Sequence, residues 1–360
     1  MLDILDFHNK IVKETDTNLL MDLKNEKLPI VIWGGGSMSH SIKKILDNEK
    51  IKVSAYWIDN ANIKIMDNGI KVYSYEEVCK VYDKLVVVLG HSKYELADKV
   101  AARPEIERIY CLVNVCYNQW SHLEYSFVDE HINDYFNAYR LMEDNLSRDC
   151  LIAFLNAKIS EDYHYLLPVC KEDTATYFEN SLFEIGNNEY LVDVGAYVGD
   201  TINEFVKKER TYKKIAAIEP DFKSVEKLKE YIKNYNINNV DIYEMGCWCE
   251  NTELTFGEDE ESSGISKEGT LQIKVMKLDD MLKNEDISII KINYLYGVEE
   301  CIMGAQQILK KKRPKLMIMV GFDEWALIKI PTLIKSINQE YKLALRFASA
   351  MPARLILFAY

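Results

Sequence analysis

The sequence predicts an α/β chain made of two successive sheet-and-helix units, and three observations carry that prediction. At 360 residues the chain is about twice the usual domain length of ~100–200 residues. Short β-branched runs alternate with longer amphipathic stretches, the pattern of strands and helices around a mostly parallel sheet, and this happens twice. Each series opens with a strand that runs into a glycine-containing loop and then a helix.

The first series reads LPIVIWGGGSMSHSIKKIL, VSAYWID, KLVVVLG and IERIYCL, which places strands near 29–33, 52–58, 85–89 and 107–112. Residues 1–116 are therefore expected to form a Rossmann-like α/β domain. Over 117–176 the strand signal fades, and HINDYFNAYRLMEDNLSRDCLIAFLNAKI repeats its apolar residues at three and four, as a helical bridge does. The second series begins at EYLVDVGAYVGDTINEFV. It continues through KKIAAIEPD, VDIYEMGCW, LQIKVMKL, ISIIKINY, PKLMIMVGF, KLALRF and RLILFAY, so 177–360 should hold a sheet of about seven strands. The two units share no fixed-period identity, so they read as separate domains rather than a repeat array.

Composition narrows the function. Apolar residues make up 48% and charged residues 28%, ordinary for a globular protein and far from disordered usage. With 44 Lys and Arg against 57 Asp and Glu, the formal charge of −13 repels phosphate backbones and anionic lipid, so neither nucleic acid nor a membrane is an expected partner. Lys310 to Arg313 is the one dense basic run and reads as the solvated end of a helix. The eight cysteines lack the clustered spacing of a zinc site or a disulfide framework, which suits reduced thiols and no metal. The acidic start is unlike a signal peptide, and no apolar stretch reaches the ~18 residues of a membrane span, so a soluble, cytoplasmic protein is expected. Oligomeric state stays open.

The first glycine loop is Gly34-Gly35-Gly36-Ser37-Met38-Ser39, placed between a strand and a helix where backbone N–H groups can hold a phosphate. Ser39 stands where the third glycine of GxGxxG would pack helix on strand, and Asp59 lies where an acid would take a ribose. Two readings stay open: a nucleotide-type ligand at Gly34–Ser39, or a tight turn that the glycines merely permit. His40 and His91 flank loops of the same unit.

The second loop, Asp193-Val194-Gly195-Ala196-Tyr197-Val198-Gly199-Asp200-Thr201, is DxGxxxG rather than GxGxxG. Carboxylates at Asp193 and Asp200 would repel a pyrophosphate but suit a cation. S-adenosylmethionine is such a cation, and the glycines at 195 and 199 let backbone approach it. The next strand ends Ile218-Glu219-Pro220-Asp221, in register for a carboxylate to hold a ribose diol. The expected cofactor-binding set is thus Asp193, Gly195, Ala196, Gly199, Asp200, Thr201, Glu219, Pro220 and Asp221.

These motifs, together with LSRDCLIAFLNAKISEDYHYL, the SSGIS segment, VMKLDDML, IIKINYLYGVEECIMGAQQIL, PKLMIMV and IPTLIKSINQEYKLALRF, resemble the FkbM-type S-adenosylmethionine-dependent methyltransferases, in particular members with an N-terminal Rossmann-like extension. The resemblance spans most of the chain. It implies a class I methyltransferase-type seven-stranded sheet, preceded by the smaller Rossmann-like domain and the helical bridge. It also implies O-methylation of a small-molecule acceptor, a sugar or secondary metabolite.

The chain departs from that family where the acceptor would lie. Against the family's Lys-x-Asp-x-Glu-Gly, with Gly304-Ala305 as the anchor, Asn293 replaces the Asp, Leu295 the Glu and Tyr296 the Gly. Phe322 and Arg346-Phe347 stand where the family often carries histidines. All six histidines precede the second domain, so the commonest general base is missing there. Asn293, Tyr294, Tyr296 and Asp279 are the catalytic candidates, with Asp323 a further carboxylate to consider; loss of two carboxylates disfavours a metal-assisted mechanism. Three functions compete. The first is an active methyltransferase working largely by proximity. The second is a silent relative that binds a small molecule or protein, and the third is a nicotinamide oxidoreductase using the first loop.

Overall fold

The computed structural model describes residues 2–13, 17–59, 69–116, 118–207, 211–257, 264–265, 271–295 and 297–360. The chain divides into two compact units. One is Met1–Ile132 with Ile152–Glu172 and Ser349–Arg354; the other is Asn133–Leu151 with Asp173–Ala348 and Leu355–Tyr360. Of the helices over 117–176, Tyr125–Glu130 and Leu167–Glu172 lie in the first unit, and Asn145–Ser160 crosses the division.

The first unit holds strands β1 (Ile30–Trp33), β2 (Ala55–Trp57), β3 (Val72–Tyr73), β4 (Leu85–Leu89) and β5 (Ile106–Tyr110), all parallel in the order β3-β2-β1-β4-β5. The runs IVIW and LVVVL are apolar throughout because β1 and β4 are covered on both faces. Helix Ser37–Asn48 spaces Ile42, Ile45 and Leu46 along one stripe, and these pack with Ile32, Val86 and Val88. Each such side chain, fully buried, stabilises the unit by roughly 1.5–3 kcal/mol. Helix Tyr75–Val81 starts on a capping box, with Ser74 and Glu77 exchanging backbone hydrogen bonds. A short antiparallel pair, β6 (Val115–Cys116) and β7 (Gln119–Trp120), follows. The strand order reverses between β1 and β4, so the crevice at their carboxyl ends is the place where open α/β sheets take ligands.

The second unit contains β8 (Glu189–Val194), β9 (Tyr212–Ile218), β10 (Val240–Tyr243), β11 (Gly246–Cys247), β12 (Thr252–Gly257), β13 (Gly264–Ile265), β14 (Leu271–Met276), β15 (Ile289–Ile292), β16 (Lys315–Met319), β17 (Leu343–Phe347) and β18 (Leu355–Ala359). Seven of them form the main sheet, β10-β9-β8-β15-β16-β18-β17. It is parallel from β10 to β16, with β18 antiparallel to both its neighbours. This is the expected seven-stranded sheet with one correction of membership. LQIKVMKL supplies β14, which pairs antiparallel with β12, Leu254 opposite Ile273, in a separate four-stranded sheet β11-β14-β12-β13. The main core gathers Leu191, Ala217, Ile289, Met317 and Phe358 from the sheet with Phe205 and Leu228 from its helices.

Candidate functional site

The site begins where β8 and β15 end side by side. Their parallel register sets Asp193 opposite Lys291, and the Asn293 amide donates to the Val194 carbonyl at 3.1 Å. Gly195, at φ +75°, continues from this junction, and a Cβ there would overlap the Asn293 carbonyl oxygen. Only glycine satisfies both the left-handed backbone and that contact. Gly199, at φ +91°, precedes helix Asp200–Val206 and lies against Leu228 and Tyr231.

The N–H groups of this turn are directed inward. Those of Gly195 and Ala196 both donate to the Ile218 carbonyl at 3.0 and 3.1 Å, that of Tyr197 to Glu219 Oε2 at 2.9 Å, and that of Gly199 to the Ala196 carbonyl at 2.9 Å. A phosphate cradle needs amides that point at the ligand, and these four do not.

Beneath the turn lies a buried ion pair. Asp193 is fully buried, its Oδ1 is 2.8 Å from Lys291 Nζ, and Lys291 also donates to the Gly195 carbonyl at 2.9 Å. Burial pushes the Asp193 carboxyl up, and the Lys291 ammonium opposes that shift. The sequence motif has Asp193 among the residues expected to hold a cationic cofactor; the structure places it under the glycine turn, paired with Lys291. Lys291 was missed as a functional residue. Its signal was there, since a lysine in the middle of the apolar strand ISIIKINY must find a partner when both faces are covered.

Glu219 closes the turn from the end of β9. Its Oε2 accepts from Tyr197 and its Oε1 accepts from the Asp221 amide at 2.9 Å. Burial raises its pKa and the two amides oppose the rise. Each oxygen keeps a second lone pair. Asp221 caps helix Phe222–Asn234 by accepting from the Ser224 amide at 2.8 Å, and Pro220 connects the two carboxylates. Asp200 is exposed in the first turn of its helix, while Thr201 and Ala196 are buried.

The expected catalytic residues separate. Asn293 flanks Gly195, and its Oδ1 is buried with no hydrogen-bond partner among the described residues. Tyr294 donates its hydroxyl to the Gly297 carbonyl at 2.9 Å, and burial holds its phenol well above the ordinary range, so it is a neutral brace for the turn rather than a phenolate. Asp279 accepts with one oxygen from the Gln307 amide at 2.8 Å and with the other from the Ile308 amide at 2.9 Å, at the start of helix Gln306–Lys311. Asp323 likewise caps helix Glu324–Ile337. Tyr296 and most of the SSGIS segment lie outside the described residues. Arg346 is an internal anchor of the second unit, donating to Asp173 at 2.9 Å and to Asp144 at 3.1 Å.

The first glycine loop is built differently. Gly34 has φ +135°, and Ser39 Oγ, buried, crosses from β1's helix to donate to the Gly90 carbonyl at 2.8 Å at the end of β4. Asp59 receives the indole N–H of Trp57 at 2.9 Å and of Trp33 at 3.1 Å, whose rings stack at 4.6 Å. His91 stands edge-on to Trp33, and His40 bonds back to the Gly36 carbonyl.

Residues 193–339 match the family model described as the methyltransferase FkbM domain. Among curated proteins none matches the chain. Among solved structures, a methyltransferase FkbM from Methylobacillus flagellatus aligns over 99% of this chain and 98% of its own at 16% identity, with a TM-score of 0.67, which shows a shared fold. An rRNA methylase from Streptococcus thermophilus aligns over 49% of this chain and 88% of its own, at 15% identity and a TM-score of 0.31. A precorrin-6y C5,15-methyltransferase from Geobacter metallireducens aligns over 52% and 93%, at 13% identity and a TM-score of 0.33. No described helix is long and apolar enough to cross a membrane.

Proposed function

Taking residues 193–339 as a methyltransferase FkbM domain, we propose that the second unit binds S-adenosylmethionine and transfers its methyl group to a hydroxyl of a small-molecule acceptor, a sugar or other metabolite. One observation carries this reading: oxygen acceptors stay open around the Gly195 turn. Glu219 keeps its second lone pairs and Asn293 Oδ1 has no partner among the described residues, while the turn's amides at 195, 196, 197 and 199 are already used. An acceptor-rich site suits a ligand that brings donors and positive charge, such as an ammonium, a sulfonium and a ribose diol. An anionic pyrophosphate would find none of these four amides.

When bound, the cofactor would supply a methyl group activated on a sulfur cation. Glu219 accepts from ribose hydroxyls, and its own two backbone bonds fix the carboxylate plane for that task. Gly195 keeps the turn free of a side chain, and Lys291 holds the turn's carbonyl from below. Asn293 Oδ1 accepts from the acceptor's hydroxyl and orients its oxygen. Asp279 and Asp323 cap helices and Tyr294 is a neutral brace for the turn, so we assign the proton to none of them. The proton leaves to water, and catalysis rests on proximity and orientation, which can supply on the order of 7 kcal/mol.

The lack of any histidine after His164 also favours a second reading, a silent relative that keeps the cofactor pocket without turnover. One experiment separates them. Calorimetric titration with S-adenosylhomocysteine tests the pocket, and its release from S-adenosylmethionine across a panel of sugars and hydroxylated metabolites tests the reaction. Binding with release supports the enzyme. Binding without release on any acceptor supports the silent relative, and absence of binding overturns both.

A further inference from the structure

At the opposite edge of the main sheet, where β8, β9, β15 and β16 begin, lies a cleft of about 340 Å³. That volume falls in the range of sites for small metabolites. Among the described residues its charged lining consists of Lys213, Lys312, Arg313 and Lys315 with Glu189 and Asp286. Four cations around two carboxylates make a local excess of positive charge in a chain whose formal charge is −13. Helix Gln306–Lys311 ends here and its dipole accounts for nearby lysines, but Lys213 and Lys315 come from β9 and β16 and owe nothing to a helix end.

The carboxylates neutralise the cleft only in part, three of them facing four cations once Glu340 is counted. Asp286 lies 3.7 Å from Lys213 and 3.5 Å from Lys312, one lysine to each oxygen, beyond normal hydrogen-bond length. Arg313 pairs at 3.0 Å with Glu340, a well exposed carboxylate, and such surface pairs contribute little and exchange readily. Lys315 is positioned more firmly, between the Glu184 carbonyl at 2.8 Å and Glu189 at 3.2 Å. Lys213 and Lys312, on either side of the Asp286 carboxylate, and Arg313 and Lys315 beside them offer charge-assisted donors to an added polyanion.

We propose that this cleft is a second ligand site, taking a small polyanion of the diphosphate class. It is separate from the methyl-transfer site, because the length of β8 at ~3.3 Å per residue puts roughly 20 Å between the two edges of the sheet. A half-open cleft of this size suits a free diphosphate or a nucleoside diphosphate, and the chain's overall charge repels a continuous nucleic-acid backbone.

The test is calorimetric titration of the full chain with inorganic pyrophosphate and, in a second arm, ADP. Wild type is compared with Lys213→Ala/Lys312→Ala and with Arg313→Glu, each checked for an unchanged melting temperature. The expected result is saturable binding of at least one probe, weakened about tenfold or more in both variants, or 1.4 kcal/mol or more. Tighter ADP than pyrophosphate would assign the nucleoside diphosphate as the source, and the reverse would assign the free diphosphate. S-adenosylhomocysteine affinity, measured on the same samples, should stay the same, so failure here is distinguishable from failure of the methyltransferase reading. Absence of saturable binding to wild type, or equal binding by wild type and both variants, overturns the proposal.

Discussion

The two glycine loops occupy equivalent places, each between a central strand of a parallel sheet and the helix that follows, yet they are closed by opposite means. At the first, a neutral serine hydroxyl bridges to the Gly90 carbonyl, and the nearby acid, Asp59, is held between two indole N–H groups. At the second, a fully buried aspartate and a buried lysine support the turn from below, and a glutamate ties it to the neighbouring strand. The first closure uses one ordinary hydrogen bond. The second keeps two charges out of water, an arrangement that is costly unless both partners stay in place. The lesson is that a glycine loop is defined less by its glycines than by what lies underneath them.

Mutations can test that contrast, beginning with the buried pair. Asp193→Ala leaves the Lys291 ammonium buried and unpaired, and should cost about 3–5 kcal/mol in chemical denaturation while abolishing S-adenosylmethionine binding. Lys291→Met in the same chain should recover part of that stability; no recovery would mean the pair is not the source of the loss. Gly195→Val meets both a left-handed backbone, itself worth ~1–2 kcal/mol, and the Asn293 carbonyl. Titration should show loss of cofactor binding, whereas Gly36→Ala in the first loop, where a Cβ meets nothing within 4 Å, should leave the fold intact. Asn293→Ala should spare cofactor affinity and lower turnover about tenfold, or 1.4 kcal/mol; an unchanged rate would move the acceptor elsewhere. Ser39→Ala should cost only about 1 kcal/mol, the worth of one neutral hydrogen bond. A loss as large as that of Asp193→Ala would erase the distinction between the loops.

The smallest effect is a pH dependence confined to the first unit. Burial, aided by Lys93, lowers the pKa of His91 below its ordinary value of 6.5. The unfolded chain therefore takes up the proton first as pH falls. The stability this group contributes is fully present above pH 6.5 and is lost as pH falls toward the lowered folded-state value. His91→Gln should flatten that fall in melting temperatures recorded between neutral and mildly acidic pH, and an unchanged slope would assign the effect to another group.

Much of this organisation was legible in the sequence, because β-branched runs and the residues that punctuate them are local signals. β1, β4 and β8 lie where IVIW, LVVVL and EYLVDV announce them. β2 is shorter than the 52–58 run suggested, and β3 was missed because two residues carry no period. LQIKVMKL reads correctly as a strand, but the identity of its partner is set by the hairpin with β12, which no one-dimensional pattern reveals. The site divides along the same line. The glycine turn and Glu219 follow from spacing. That Asp193 faces Lys291 and that Asp279 caps a helix nearly thirty residues later are long-range facts, fixed by register and packing.

Trp248 adds one more consequence. Its ring lies against Gly297, where an added Cβ would come within 2.5 Å of it, and its carbonyl lies against Gly304. Tyr294, which also borders Gly297, connects this packing to the turn beside Asn293. The molecule thus carries its own optical reporter: an occupant that shifts the turn by a few tenths of an ångström changes the surroundings of an indole, and its fluorescence emission registers the arrival without any label.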